Sequence, residues 1–342
     1  MLENELPCGS SDSDNQNLAY AFKNNDTCIF VFWNEAFYTT HIVSEPLGPL
    51  PEHQKKMTDK PLVQPSFTQL RLLGGMSYVI QLCDESYIII DGGDYNEEDE
   101  KRLYDFLRSH ASANKPTVEL WFFTHPHYDH IALATSFIEH YSNEFEIKAF
   151  SYQFQDCDKA SFSMPDTRVR EDIDRLEKSI HDFCPNAVIY TLHTGQIYRF
   201  GDMEIEILWA IDNTYPMSYT SCNDLSAALR LKSPSDKTVL MLGDYMINSC
   251  KPIAATYGSY LKSDILQVAH HGLIGGDVGL YKLIDPEICF WPVPENVFLG
   301  KTDQRYKWCL GEGGCDHNAY IRDDSIRKRQ HFHAGKTTTI YL

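Results

Sequence analysis

The chain has 342 residues, with Lys+Arg 30 against Asp+Glu 48 and a formal charge of -18. Its 43% hydrophobic and 23% charged residues suit a globular protein with a substantial core, and the negative field argues against tight binding to duplex nucleic acid, which needs cations to displace counterions. No apolar run approaches the roughly 20 residues of a membrane span and no signal-like segment opens the chain, so a cytoplasmic protein with no membrane partner and reduced thiols is expected.

Residues 1–65 read as an N-terminal extension. Residues 1–26 are polar, rich in Ser, Asn and Asp, and are expected to be partly disordered. The segment 28–43 reads as a β-hairpin turning at Asn34 and Glu35. Pro46, Pro49, Pro51 and Pro61 then mark a connector to a domain over 66–342.

Within that domain, strands are expected at 67–73, 76–82 and 87–90, the last running into Asp91, Gly92 and Gly93. Asn96 before Glu97, Glu98, Asp99 and Glu100 reads as a capped helix start, acidic where the helix dipole is positive. An apolar strand at 118–123 stops at Thr124, and His125, His127, Asp129 and His130 follow within six residues. Pro126 cannot continue a ladder, so a loop begins there. Imidazole and carboxylate are metal ligands. Residues two apart in extended chain project the same way, so His125 and His127 can grip one ion while Asp129 and His130 turn toward another.

This H-x-H-x-D-H pattern resembles the metallo-β-lactamase superfamily. The resemblance implies that His125 and His127 hold metal at site one and Asp129 and His130 at site two. It also gives Asp91, at its strand end, the role of orienting metal ligands from behind.

Helices are then expected over 131–141 and after Asp166, with strands at 146–151, 187–192 and 203–209. Asn223-Asp224-Leu225-Ser226 opens a strand at 227–231; the next, at 238–242, ends in Gly243-Asp244; another, at 264–269, ends in His270-His271-Gly272. In that order the signals resemble the ComEC-type branch of the superfamily over roughly residues 66–295. The resemblance implies that Asp244 bridges two metals and that His270 or His271 completes site two. No histidine stands where many relatives supply a third to site one. Cys222, Asn223 and Asp224 occupy that region, Asn being the poorest zinc ligand of the three. His193 is the nearest alternative, and it reads better as a loop residue.

Beyond a strand at 288–292, Cys309, Cys315 and His317 lie close but at an unusual zinc spacing. His331 and His333 read as a surface pair on an edge strand, Arg327-Lys328-Arg329 as a helix end, and 337–342 as the last strand.

Two blocks of mainly β structure interleaved with helices imply an α/β fold, two sheets face to face with helices outside. The resemblance makes this the four-layer αββα metallo-β-lactamase sandwich. The chemistry expected is hydrolysis by a hydroxide that bridges two divalent ions, zinc first, with manganese or iron as alternatives. Asp129, His270 and His271 would lie at the reacting centre. A small phosphoester or phosphodiester is the leading substrate and a lactone, amide or thioester the alternative. A metal-binding protein without turnover is the reading from another class. The oligomeric state is left open.

Overall fold

Two β-sheets, each antiparallel in one half and parallel in the other, stack face to face with helices on their outer surfaces. The computed structural model describes residues 61–154, 167–201, 203–210, 221–299 and 318–342, together with the backbone of four strands nearer the N-terminus. Those four are β1 (Asn4–Glu5), β2 (Asn17–Asn24), β3 (Thr27–Asn34) and β4 (Thr39–Pro46), an antiparallel sheet in sequence order. β3 and β4 cover the 28–43 segment, with Phe30 opposite Val43. β2 falls in the stretch read as partly disordered, where Leu18, Tyr20 and Phe22 alternate at the period of a strand.

The first large sheet is built from β5 (Ser66–Gln69), β6 (Tyr78–Gln81), β7 (Tyr87–Ile90), β8 (Thr117–Phe122), β9 (Glu146–Ile147), β10 (Ala149–Tyr152) and β11 (Val188–Thr191). The order is β11-β10-β8-β7-β6-β5-β19, with β9 beside β8 and the chain's last strand, β19 (Thr338–Tyr341), returning to pair with β5. The second sheet runs in order from β12 (Ile197–Phe200) through β13 (Met203–Trp209), β14 (Ala228–Lys232), β15 (Thr238–Met241), β16 (Ile265–Gln267) and β17 (Ile288–Trp291) to β18 (Gln330–His333).

Alternation along the strands sorts side chains into two cores. On β8, Leu120 and Phe122 face the second sheet and meet Ile205, Leu229, Met241 and Phe290. Trp121 and Phe123 face outward to α1 (Glu97–Ser109), α2 (Tyr128–Tyr141) and α3 (Thr167–Phe183). The second sheet's outer face packs Leu240, Leu266 and Trp291 against α4 (Ile247–Tyr257) and α5 (Val278–Ile284). Two four-residue helices, α6 (Glu295–Phe298) and α7 (Ala319–Arg322), flank the C-terminal strands. Phe122 is fully buried, and truncating such a side chain to Ala costs about 3–5 kcal/mol.

The first helix starts as its sequence dictates: Asn96 Oδ1 accepts from the N–H groups of Glu98 and Asp99 at 2.9 and 3.3 Å. The basic run differs from expectation. Arg327, Lys328 and Arg329 lie in the irregular stretch just before β18, not at a helix end. Arg327 pairs with Asp285 and Glu287 at 2.9 and 2.6 Å, and Arg329 with Asp285 at 2.9 Å, so neighbouring carboxylates fix the segment.

The C-terminal ends of the parallel strands meet at one edge of the sandwich. Asp91 follows β7, His125 follows β8, Asp244 follows β15 and His270 follows β16. A bond from Ala227 N–H to Thr124 O at 2.9 Å ties the two sheets together there.

Candidate metal centre

The carboxylate of Asp91 organises the loop after β8 from beneath. Its Oδ1 accepts from Thr124 N–H at 2.8 Å, and its Oδ2 accepts from Thr124 Oγ1 at 2.8 Å and from His130 Nδ1 at 2.9 Å. Burial pushes this carboxyl upward in pKa, against the pull of His130 and of those bonds. Asp91 sits at φ +56, and Gly92 behind it lies where a Cβ would collide with Ala134 of α2. The strand end and the helix start are thereby held close enough for His130, in the first turn of α2, to reach Asp91. With Nδ1 donating, His130 presents the lone pair of Nε2 to the cleft.

Two groups of ligand-type atoms converge there, His125 with His127 and Asp244, and Asp129 with His130 and His271, each group lying within 4.8 Å. His125 Nε2 is 3.1 Å from His127 Nδ1 and 3.8 Å from Asp244 Oδ2. His130 Nε2 is 3.3 Å from Asp244 Oδ1 and 3.9 Å from Asp129 Oδ1. His271 Nε2 is 3.2 Å from Asp129 Oδ2 and 3.5 Å from Asp244 Oδ2. Asp244 stands between the groups, one oxygen toward each histidine of site two. Ligand atoms about 2.1 Å from a tetrahedral ion are roughly 3.4 Å from one another, so these spacings suit shared cations. Moreover, among the described residues His130 Nε2, His271 Nε2 and Asp244 Oδ1 are buried and make no hydrogen bond of ordinary geometry, only the close contacts just given. Such groups are costly unless a proton shared with the neighbouring carboxylates or a bound cation satisfies them.

Local structure aims each of these atoms. The Asp244 N–H donates to Ser226 Oγ at 3.0 Å, and Gln267 bridges the Leu242 N–H at 2.8 Å and the Gly243 carbonyl at 3.0 Å. His271 is in the left-handed region at φ +56, and its Nδ1 faces the Pro292 carbonyl at 2.9 Å. That bond fixes the tautomer and leaves Nε2 for the cleft. His270, at φ +49, lies nearer the rim, its Nε2 3.3 Å from Asn223 Nδ2 and 3.9 Å from Asp244 Oδ2. The floor is buried, while Tyr128 is 43% exposed and the Asp129 side chain 40%, which marks the open side.

Charges in the cleft are strongly coupled. Burial opposes ionisation of Asp244, but His271, His130 and His270 outweigh it and hold the carboxyl well below its usual range. The pKa of His125 is also lowered, well below an ordinary imidazole, by burial and by the neighbouring His130, which favours its neutral form.

The remaining candidates divide. Asp224 serves its own turn: Oδ1 accepts from Ser249 Oγ at 2.6 Å and Oδ2 from the Ser221 N–H at 3.4 Å. Cys222 is disulfide-bonded, which removes its thiolate as a ligand and departs from the expectation of uniformly reduced thiols; Cys184, Cys250 and Cys289 carry free thiols. His193 belongs to neither group. Asn223 does border site one, as taken up below. His331 and His333 lie on the edge strand β18, and His331 Nδ1 accepts from Trp291 Nε1 at 3.0 Å. Cys309, Cys315 and His317 lie outside the described residues. Sequence reasoning assigned no role to Thr124, Gln267 or the Pro292 carbonyl; only Ser226 stood in a motif, and its hydroxyl had no stated partner.

Comparison with known proteins bears on the fold. Residues 70–147 match the family model described as Metallo-beta-lactamase superfamily. No curated protein matches the chain. Similar solved structures include CmlA, a diiron beta-hydroxylase from Streptomyces venezuelae, at 10% identity over 100% of this chain and 76% of that one, TM-score 0.48. Yeast PDE1 is similar at 10% identity over 81% and 100% of the two chains, TM-score 0.44. Human tRNase Z, short form, is similar at 12% identity over 80% and 98%, TM-score 0.42. The matched segment contains Asp91 and the whole H-x-H-x-D-H loop, and the chain has the α/β fold of the metallo-β-lactamase superfamily.

Proposed function

We propose that this chain is a metal-dependent hydrolase of small phosphoesters or phosphodiesters. His125, His127 and Asp244 would hold one divalent ion, and Asp129, His130 and His271 a second, with Asp244 between them. The observation that carries this reading is the convergence of two His/Asp ligand groups on one cleft, where His130 Nε2, His271 Nε2 and Asp244 Oδ1 are buried without a hydrogen bond of ordinary geometry among the described residues. Zinc, manganese and iron all suit imidazole and carboxylate.

When bound, such a pair of ions supplies a hydroxide nucleophile at neutral pH and positive charge for a developing oxyanion. The chain's own residues fix the site. Asp91 and the Pro292 carbonyl lock the rings of His130 and His271. Ser226 and Gln267 hold the turn that carries Asp244. The buried floor keeps bulk water from screening these charges. The partly exposed side chains of Asp129 and His270 mark the open side, where substrate would enter.

The resemblance of the motif order to the ComEC-type branch favours a phosphodiester over a carboxylic ester. The charge of -18 favours a small substrate over duplex nucleic acid and gives no reason to expect membrane binding. The test is hydrolysis of bis-p-nitrophenyl phosphate, p-nitrophenyl phosphate, a lactone and a thioester by full-length protein stripped of metal and reloaded with zinc, manganese or iron. The expected result is metal-dependent phosphoester turnover that His125→Ala with His127→Ala abolishes. Turnover of the lactone or thioester alone would reassign the substrate. Two bound ions with no turnover of any of the four would overturn the hydrolase reading in favour of a metal-binding protein.

A further inference from the structure

The two groups of site one and site two differ in completeness. His125, His127 and Asp244 bring three side chains to one position, and the residue next to them is an amide. Asn223 lies in the short turn Cys222–Leu225 before β14 and is 9% exposed. That turn is fixed by its neighbour, because Asp224 is bonded to Ser249 and to the Ser221 N–H. The Asn223 side chain comes within hydrogen-bonding reach of His127 on one side. On the other, its Nδ2 faces His270 Nε2 at 3.3 Å and Met246 Sδ at 4.0 Å. Its Oδ1 is buried with no hydrogen-bond partner.

An amide has a donor end and an acceptor end. The donor end is spent on the lone pair of His270 Nε2, whose other near neighbour is Asp244 Oδ2 at 3.9 Å. The acceptor end makes no hydrogen bond of ordinary geometry among the described residues and stands within reach of His127. Turned over, the amide would put its donor end toward His127 and leave no oxygen there for a cation. A divalent ion shared with His125, His127 and Asp244 would satisfy Oδ1 as drawn.

We propose that Asn223 Oδ1 is the fourth protein ligand of site one, held in place by His270, and that an amide oxygen where a third imidazole could stand lowers this site's preference for zinc over manganese(II). The proposal rests on the dinuclear reading above. An amide carbonyl is a hard, uncharged oxygen, the ligand type that suits manganese, whereas imidazole favours zinc. In this arrangement His270 is a positioning residue, because its Nε2 lone pair is engaged by the amide.

The test uses the full chain, stripped of metal and dialysed against zinc and manganese(II) alone and in competition, with bound metal counted by mass spectrometry. Three variants are compared: Asn223→Ala, Asn223→His and Asn223→Asp, the last keeping the shape in case Asn223→Ala does not fold. Asn223→Ala is expected to weaken one of two manganese(II) sites by about tenfold or more, within the range seen when groups around a metal are removed. Asn223→His should raise the zinc-over-manganese ratio at that site by a similar factor. Asn223→Asp should tighten both ions there, because the oxygen stays and gains charge. Unchanged affinities and an unchanged metal ratio in the folded variants would overturn the proposal. His125→Ala with His127→Ala separates the two levels. If that variant loses one ion while the Asn223 variants behave as wild type, only the fourth ligand is wrong. If it keeps both ions, the dinuclear reading itself has failed.

Discussion

His130 Nδ1 donates to Asp91 Oδ2 at 2.9 Å, while the opposite ring nitrogen, Nε2, is buried without a hydrogen-bond partner. One bond thus sets both the tautomer and the aim of a proposed ligand. Asp91→Asn tests it with little disturbance, since Asn also tolerates the left-handed backbone at φ +56. The amide can still meet Thr124 but no longer presents a charged acceptor to His130. The expected outcome is a loss of metal affinity of about 10–100-fold at site two, with the fold retained. Competition with a chromophoric chelator measures it. Unchanged affinity would show that packing alone orients the ring.

Metal removal should expose a pH-dependent stability. In the metal-free protein, burial disfavours the charged form of His130, but Asp244, Asp91 and Asp129 outweigh it and push the pKa up to about 10. His271 shifts the same way, burial being overcome by Asp244 and Asp129. An unfolded histidine titrates near 6.5. Between those values the folded state binds more protons than the unfolded one, so stability is fully present below about pH 6.5 and is lost as pH rises toward about 10. The Tm of chelator-treated protein should therefore fall across that window. Metal-loaded protein should lack this slope, because its ligand nitrogens carry no proton, and loading near neutral pH should release protons. Calorimetry in buffers of different ionisation enthalpy counts those protons. A flat metal-free profile with no proton release would refute the charge assignment.

Gly272 ends the H-H-G run at φ +75, and a Cβ there would enter the ring of Trp291. Trp291 is fully buried and its Nε1 donates to His331, so it cannot easily yield. Gly272→Ala is therefore expected to cost roughly 1–3 kcal/mol of stability. It should also move His271, one residue away, and weaken metal binding. Thermal unfolding and metal counting on the same sample check both effects. A stable variant with full metal content would mean that the turn relaxes without disturbing His271.

What could be read from the chain alone follows from how local each cause is. β7 is an unbroken apolar run and was legible to the residue, as was β13, where apolar and polar residues alternate. The start of α1 was legible because its cap and acidic first turn are consecutive residues. The loop of His125, His127, Asp129 and His130 was legible for the same reason. α4 was not, since Pro252 lies inside it and Asn248 and Ser249 fill its first turn, each a mark against a helix. The choice between His270 and His271 was beyond reach as well. It depends on two left-handed backbones and on a carbonyl 21 residues away. Ligand chemistry alone favoured Asp224 over Asn223, yet the Asn223 side chain faces the cleft and Asp224 binds Ser249. Adjacent residues in a tight turn point apart, and only the folded turn says which way.

Asp244 offers the sharpest test of the centre as a whole. Its Oδ1 is 3.3 Å from His130 Nε2, and its Oδ2 is 3.5 Å from His271 Nε2 and 3.8 Å from His125 Nε2. Two divalent cations held close together repel strongly, and an anionic group between them offsets that repulsion. Asp244→Asn keeps the shape, and the backbone bond to Ser226 is untouched, so the fold should survive. The variant is expected to lose at least one ion and to lower kcat by roughly 10²-fold or more, the scale of removing one strong electrostatic contributor. A second signature separates charge loss from mere distortion. Asp244 is the strongest of the carboxylates that raise His130, so in the metal-free variant the fall of Tm with pH should still begin near pH 6.5 but be smaller and end at lower pH than in the metal-free parent. Near-normal turnover with two ions bound, together with an unshifted pH profile, would mean that Asp244 is an ordinary strand-end residue and that another group lies between the ions.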